Sequence, residues 1–241
     1  MEVKNISKTF VTEIGELKVL ENISFDIEPG EIISIVGPSG SGKSTLLNII
    51  SSLLKPDKGE IKLNGKIGYM FQKDHLFDWR NVWKNVLLGL EIQKKKTEDN
   101  LNNVLNLLEK YGLLEFKNHY PNELSGGMRQ RIALIRTLAV KPGILLLDEA
   151  FSALDYQTRL NVVTDIYKMI KEEHIAALLV THDITEAVSM SDRVIVLSNR
   201  PAKIKRVYNI NFDIEDKTPI NVRRLPQFSK YFELIWNDLN E

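Results

Sequence analysis

The chain has 241 residues, 43% hydrophobic and 27% charged, so it can bury a core without a disulfide or metal staple. It has no cysteine, which excludes disulfides, thiol catalysis and cysteine-ligated zinc. Lys and Arg balance Asp and Glu at 32 each, which argues against a general polyanion binder, so no nucleic-acid partner is expected.

No window approaches the roughly 18 apolar residues of a spanning helix. Met1-Glu2-Val3-Lys4-Asn5 lacks the apolar stretch of a secretory signal. Any work at a membrane would need another chain for the membrane part.

Alternating apolar and polar residues predict antiparallel strands over 3–10 and 17–27. Glu28-Pro29-Gly30 is a turn, residues 31–36 a buried strand and 37–42 a loop. A helix is predicted over 43–54, with Leu46, Leu47, Ile50 and Leu54 on one face, stopped by Lys55-Pro56-Asp57-Lys58-Gly59. Short strands follow at 60–63 and 67–71. From Gln72 to about Val140 the texture is helical, with Leu101, Val104, Leu105, Leu108 and Tyr111 at helical spacing. The run Gln93-Lys94-Lys95-Lys96 reads as a solvated loop. After Pro142-Gly143, strands at 144–147, 176–181 and 193–197 alternate with helices at 156–173 and 184–190. A strand near 204–210 and a helix carrying Phe228, Phe232, Ile235 and Leu239 on one face complete the chain. This is an α/β core, residues 1–72 and 141–241, with an antiparallel β subdomain and a helical insertion over about 73–140.

Gly37-Pro38-Ser39-Gly40-Ser41-Gly42-Lys43-Ser44 fits G-x-x-x-x-G-K-[ST] and falls between a buried strand and an amphipathic helix, the context this motif needs. Such a loop wraps polyphosphate with backbone N–H groups, and glycines at 37, 40 and 42 permit the close approach. The following helix aims its free N–H groups and positive dipole end at the phosphates. Lys43 would reach the β and γ oxygens, and the Ser44 hydroxyl would ligate Mg²⁺.

Residues 144–149, Ile-Leu-Leu-Leu-Asp-Glu, form an apolar strand ending in two carboxylates. Asp148 suits a magnesium shell through water, and Glu149 is placed to orient or deprotonate an attacking water. Ser125-Gly126-Gly127 precedes a helix carrying Arg129, Arg131, Ile132, Leu134, Ile135 and Leu138. Two readings are open there, a second anion seat or an ordinary N-cap.

The order of residues 37–44, Gln72, Leu124-Ser125-Gly126-Gly127-Met128-Arg129-Gln130, residues 145–149, Ser152-Ala153-Leu154-Asp155 and His182 resembles the ATP-binding subunits of ABC transporters over almost the whole chain. The resemblance implies ATP and Mg²⁺ as cofactors. It implies a P-loop NTPase (RecA-like) core, an ATPase coupled to transport, and a place on the cytoplasmic side of the membrane. Gln72 would touch Mg²⁺ and the attacking water and link the insertion to the core. Asp155 would stand at the dimer seam, and His182 would contact the γ-phosphate. Phe10 sits where the family usually has an aromatic, often Tyr, that stacks on adenine; Phe keeps the ring face and loses the hydroxyl. Ala150 departs from the family's usual Pro. Two copies would close face to face, each ATP lying between residues 37–45 of one, Thr45 included, and Ser125, Gly126 and Gly127 of the other. Hydrolysis would reopen them.

Leu76-Phe77-Asp78-Trp79-Arg80-Asn81-Val82 with Asn85-Val86, then Ser198-Asn199-Arg200-Pro201 and the closing Arg224, Phe228, Ile235 and Trp236, resemble the nitrate/sulfonate/taurine importer group. Asp78 and Asn81 depart from that group's usual Pro and Thr. Residues 74–90 would then receive a helix of an integral membrane permease, with Phe77, Trp79 and Arg80 in contact. The alternative is that Trp79 and Trp83 only pack the insertion. A solute-binding protein would be an indirect partner, and the tail after Ile210 is too short for an added regulatory domain. Two other readings stay open: an importer for a thiamine precursor, and a soluble ABC ATPase acting on nucleic acid or ribosomes. His75, His119 and His174 are expected in surface or packing roles, and Trp236 in the core.

Overall fold

In the computed structural model, which describes residues 1–241 except 14, 64, 153 and 241, the two alternating N-terminal segments pair as a hairpin. β1 (Glu2–Thr12) and β2 (Gly15–Asp26) run antiparallel, Val3 opposite Phe25 and Ile6 opposite Ile23. β3 (Ile32–Val36) is buried at every position, as an apolar run without alternation should be. Its one hydroxyl, on Ser34, is satisfied by that of Ser191. α1 (Lys43–Ile50) ends four residues earlier than expected. Ser52 takes a left-handed φ of 61°, and the N–H groups of Leu53 and Leu54 both turn back onto the Asn48 carbonyl, which closes the helix. β4 (Lys58–Lys62) pairs antiparallel with the free side of β1. β5 (Ile67–Met70) joins the other sheet.

The insertion holds α2 (Val82–Val86), α3 (Leu88–Ile92), α4 (Glu98–Lys110) and α5 (Gly126–Leu138). Thr97 caps α4 by accepting from Asn100 N–H; Glu98 and Asp99 in the first turn and Lys110 in the last suit the helix dipole. On α4, Val104, Leu107 and Leu108 are the buried side chains, and Leu105 sits only half inside. Lys94, Lys95 and Lys96 are exposed, as a solvated loop requires.

Then come β6 (Ile144–Asp148), α6 (Tyr156–Glu172), β7 (Ala176–Val180), α7 (Ile184–Met190), β8 (Arg193–Leu197), β9 (Ile204–Asn209), α8 (Pro219–Val222) and α9 (Pro226–Asn240). The six-stranded sheet has the order β5-β6-β7-β3-β8-β9, parallel except for β9, which pairs antiparallel at the edge. One core packs α5 and α6 against one sheet face, joining Leu134 and Ile135 to Leu145 and Leu147. A second fills the space between the two sheets and α1. A third lies under α7 and α9. Among the described residues no helix is long and apolar enough to cross a membrane.

Trp236 is not in the core. It is 54% exposed and stacks on Phe232, with ring centroids 6.2 Å apart. On α9 the buried positions are Ile235 and Asp238, and one residue past Ile235 turns the side chain ~100° off that face. His75 and His119 pack edge-on against Phe71 and Phe116, while His174 lies at the surface.

Candidate functional site

The C-terminal ends of β3, β6 and β7 point to one side of the sheet, and the phosphate loop, Glu149 and His182 gather there. Gly42 is the N-cap of α1, with φ 102°, and has no side chain to satisfy the helix's first N–H groups. Those groups are therefore free for an anion. A Cβ at Gly42 would lie 2.7 Å from Val19 Cγ1, so the hairpin side also demands glycine. Lys43 is 8% exposed, and its Nζ donates to the carbonyls of Gly37 (2.8 Å) and Pro38 (2.9 Å). Burial pulls its pKa below the ordinary lysine value, opposed by the charges of Glu149 and Asp148.

A cavity of about 870 Å³ opens over this loop. Phe10, Thr12, Leu17 and Val19 line its hairpin side; Ser39, Gly40, Gly42, Lys43, Ser44 and Thr45 form its floor; Glu149, His182 and Arg200 complete it. Gly37, Pro38 and Ser41 stand behind the floor, Ser41 being buried. The Phe10 ring is half-buried, with the Lys8 ammonium 5.6 Å from its centroid.

Glu149 adopts a left-handed φ of 46°, its N–H held by the Val180 carbonyl at 2.9 Å. A non-glycine residue there carries strain of about 1–3 kcal/mol, a common feature of working sites. Its carboxylate lies against His182, Oε1 to Nδ1 3.3 Å. Asp148 lies just outside the cavity lining. Its Oδ2 accepts from the Tyr69 hydroxyl at 3.0 Å. Burial raises the Asp148 pKa, the Tyr69 hydrogen bond opposes this, and the Glu149 charge adds to it. Among the described residues no group of three or more His, Cys, Asp or Glu could hold a metal ion. The donors at hand, the Ser44 hydroxyl in the lining and the Asp148 carboxylate just outside it, are all-oxygen and few, with the Gln72 amide in the adjoining groove. That set fits Mg²⁺, which keeps its waters and takes the remaining ligands from phosphates.

Gln72 does not line this cavity. It lies in a neighbouring groove of about 530 Å³, with Asp74, Gly126, Arg129 and Gln130. Its Nε2 donates to Ser152 Oγ (3.0 Å), which donates to the Glu149 carbonyl (2.9 Å). Buried Gln130 ties the same region by donating to the Ala150 carbonyl at 2.9 Å. Arg159 donates to the Leu154 carbonyl at 2.8 Å and reaches Asp183 at 3.7 Å, bridging the stretch after β6 to the one after β7. Ala153 lies outside the described residues. Asp155 caps α6 by accepting from Thr158 N–H at 3.1 Å, and that bond holds its pKa down.

Ser125 caps α5, its Oγ accepting from Met128 N–H at 3.2 Å. Ser125, Gly126 and Gly127 are absent from the Lys43 cavity lining; Gly126 faces the groove with Gln72. Phe77 and Trp79 stack at 4.7 Å, and Trp79 is 74% exposed. Asn85, fully buried, holds this loop by accepting from Phe77 N–H and donating to the carbonyls of Phe77, Arg80 and Asn81. Arg80 pairs with Glu91 at 2.7 Å. Trp83 is half-buried and packs on the core, so of these two tryptophans Trp79 is the one left outside.

Sequence reasoning missed Tyr69, Ser152, Asn85 as the loop's anchor, and Arg200 as a cavity residue. For Asn85 the available signal was a polar residue inside the apolar Val82-Trp83-Lys84-Asn85-Val86 turn.

Residues 20–152, more than half of the chain, match the family model described as ABC transporter. An uncharacterized ABC transporter ATP-binding protein, YtlC of Bacillus subtilis, is 43% identical over 100% of this chain and 95% of its own. The nitrate import ATP-binding protein NrtD of Synechocystis is 39% identical, covering 98% of this chain and 93% of its own. The taurine import ATP-binding protein TauB of Jannaschia is 38% identical over 98% and 94%. Among solved structures, the dimeric post-hydrolysis state of the cassette MJ0796 bound to ADP and Pi matches with TM-score 0.71 and 33% identity, over 88% of this chain and 99% of that one.

Proposed function

This chain belongs to the ABC transporter family of ATPases, and from that premise we propose that it energises an importer for nitrate, a sulfonate, taurine or a similar small solute. The observation that carries the reading is the single cavity that unites Phe10, the phosphate loop, Lys43, Glu149 and His182.

Phe10 stacks on the adenine. The loop N–H groups and the start of α1 hold the phosphates, and Lys43 moves from its own loop carbonyls to the β and γ oxygens. Glu149 orients the attacking water and takes its proton, and His182, beside it, contacts the γ-phosphate. Ser44, Gln72 and Asp148 would hold Mg²⁺, which neutralises charge on the β and γ oxygens when bound. Catalysis here is positioning and charge stabilisation, with little covalent work for the protein.

Ser125–Gly127 lie outside the cavity and serve the ATP of a second copy. Asp155 stands at the seam. The Phe77–Trp79 stack meets the permease at the cytoplasmic face of the membrane, and movement there reaches Glu149 through Gln72 and Ser152. A solute-binding protein and permease select the solute. The test is nucleotide binding by the purified chain with and without Lys43→Ala. Loss of ATP affinity by about 10-fold or more is expected; an unchanged affinity contradicts the reading.

A further inference from the structure

We infer that Arg200 is a second cation for the nucleotide's polyphosphate, reaching it from outside the phosphate loop. The inference rests on the ATP reading above. β3 and β8 are parallel neighbours, Val36 opposite Val196, so the segments that follow them leave the sheet side by side. One is the phosphate loop; the other is the turn at residues 198–203. That turn is firmly held. Ser198 N–H donates to the Lys203 carbonyl (2.9 Å), Lys203 N–H to Ser198 Oγ (3.0 Å), and Ala202 N–H to the Val19 carbonyl on β2 (2.9 Å). Arg200 at its apex is thereby laid over the phosphate loop. Its Nη2 lies 2.6 Å from where a Cβ on Gly40 would stand, so even an alanine at 40 would displace it.

The charge balance around this guanidinium points to an anion. The loop N–H groups and the N-terminus of α1 make a positive field, and Glu149, the carboxylate lining the same cavity, lies against His182 at 3.3 Å. Lys43 lies in the same field but has two carbonyl acceptors of its own. Arg200 lines the cavity, and among the described residues its guanidinium has no hydrogen bond or ion pair. A cation held in a positive field without an acidic partner is unfavourable until an anion arrives. A guanidinium is a fixed fork of donors that matches phosphate oxygens, which makes Arg a better fit than Lys. Its approach to Gly40 sets it over the phosphate loop, in the cavity that the Phe10 ring also lines.

The test is isothermal titration of wild type, Arg200→Ala and Arg200→Lys with ATP, ADP and adenosine, with thermal melts confirming that each variant folds. Arg200→Ala should weaken ATP and ADP by about 5- to 30-fold and adenosine by less than about 2-fold. Arg200→Lys should recover part of the loss, and the wild-type advantage should shrink in high salt. Equal losses for adenosine and ATP would put Arg200 on the base and overturn the inference. Wild-type ATP affinity in Arg200→Ala would overturn it too, and leave the ATP reading standing. A wild-type chain that does not bind ATP would remove both.

Discussion

The two glycine-led helix starts, α1 and α5, are built to opposite plans. α1 follows Gly42, which offers no side-chain acceptor, and it opens into a cavity already furnished with Lys43, Glu149 and His182. α5 follows Ser125, which caps it from its own hydroxyl, and it opens onto the groove beside Gln72. The first site holds its chemistry within one chain. The second has Gln72 and Arg129 in its groove and, among the described residues, none of Lys43, Glu149 and His182. The difference teaches that capping does not by itself close a helix start: Ser125 caps α5 through Met128 N–H and still leaves its side chain exposed, so a ligand seat there is a separate question from the cap.

The sharpest way to break this comparison is at the furnished site. Glu149→Gln should lower phosphate release by about 10²–10⁴-fold while ATP still binds, because the amide keeps the shape and loses the base. Near-normal turnover in a phosphate-release assay would remove Glu149 from its role.

The insertion offers a second contrast, between its two tryptophans. Trp83→Ala should cost about 1–3 kcal/mol in denaturant unfolding, since its half-buried ring packs on the core. Trp79→Ala should cost less than about 0.5 kcal/mol, yet abolish solute uptake in cells. Equal destabilisation by both would return Trp79 to plain packing.

A smaller effect lies behind His182. Glu186 is buried, accepts from the Thr181 hydroxyl at 2.8 Å, and has its pKa pushed up to about 7 by burial and by Asp183, against the opposing pull of Thr181, Arg159 and His182. A carboxyl whose folded pKa is raised adds stability below its unfolded pKa near 4.5, and that contribution is lost as pH rises through about 7. Glu186→Gln should therefore melt a few degrees above wild type at pH 8, with the gap closing toward pH 5. A gap independent of pH would contradict this.

Much of the site was legible because its determinants are local. The phosphate loop is a contiguous string between a buried strand and a helix, and residues 144–149 spell a buried strand that ends in acids. What was hidden depends on sheet order. Arg200 reaches Gly40 only because β8 lies beside β3, and Tyr69 reaches Asp148 only because β5 lies beside β6. Spacing along the chain carries neither fact. The early end of α1 turned on a left-handed Ser52, which no periodicity marks. Trp236 lies outside because it follows Ile235 by one residue, off the buried face of α9, and hydrophobicity alone carries no such phase.

The central claim, that Ser125–Gly127 serve another copy's ATP, is tested most directly by sedimentation in ATP. A Glu149→Gln chain should sediment at twice the 27.6 kDa monomer mass. Adding Ser125→Arg to it should leave ATP bound and the chain monomeric. If the double variant dimerises as readily as Glu149→Gln alone, the second seat has no role across the seam.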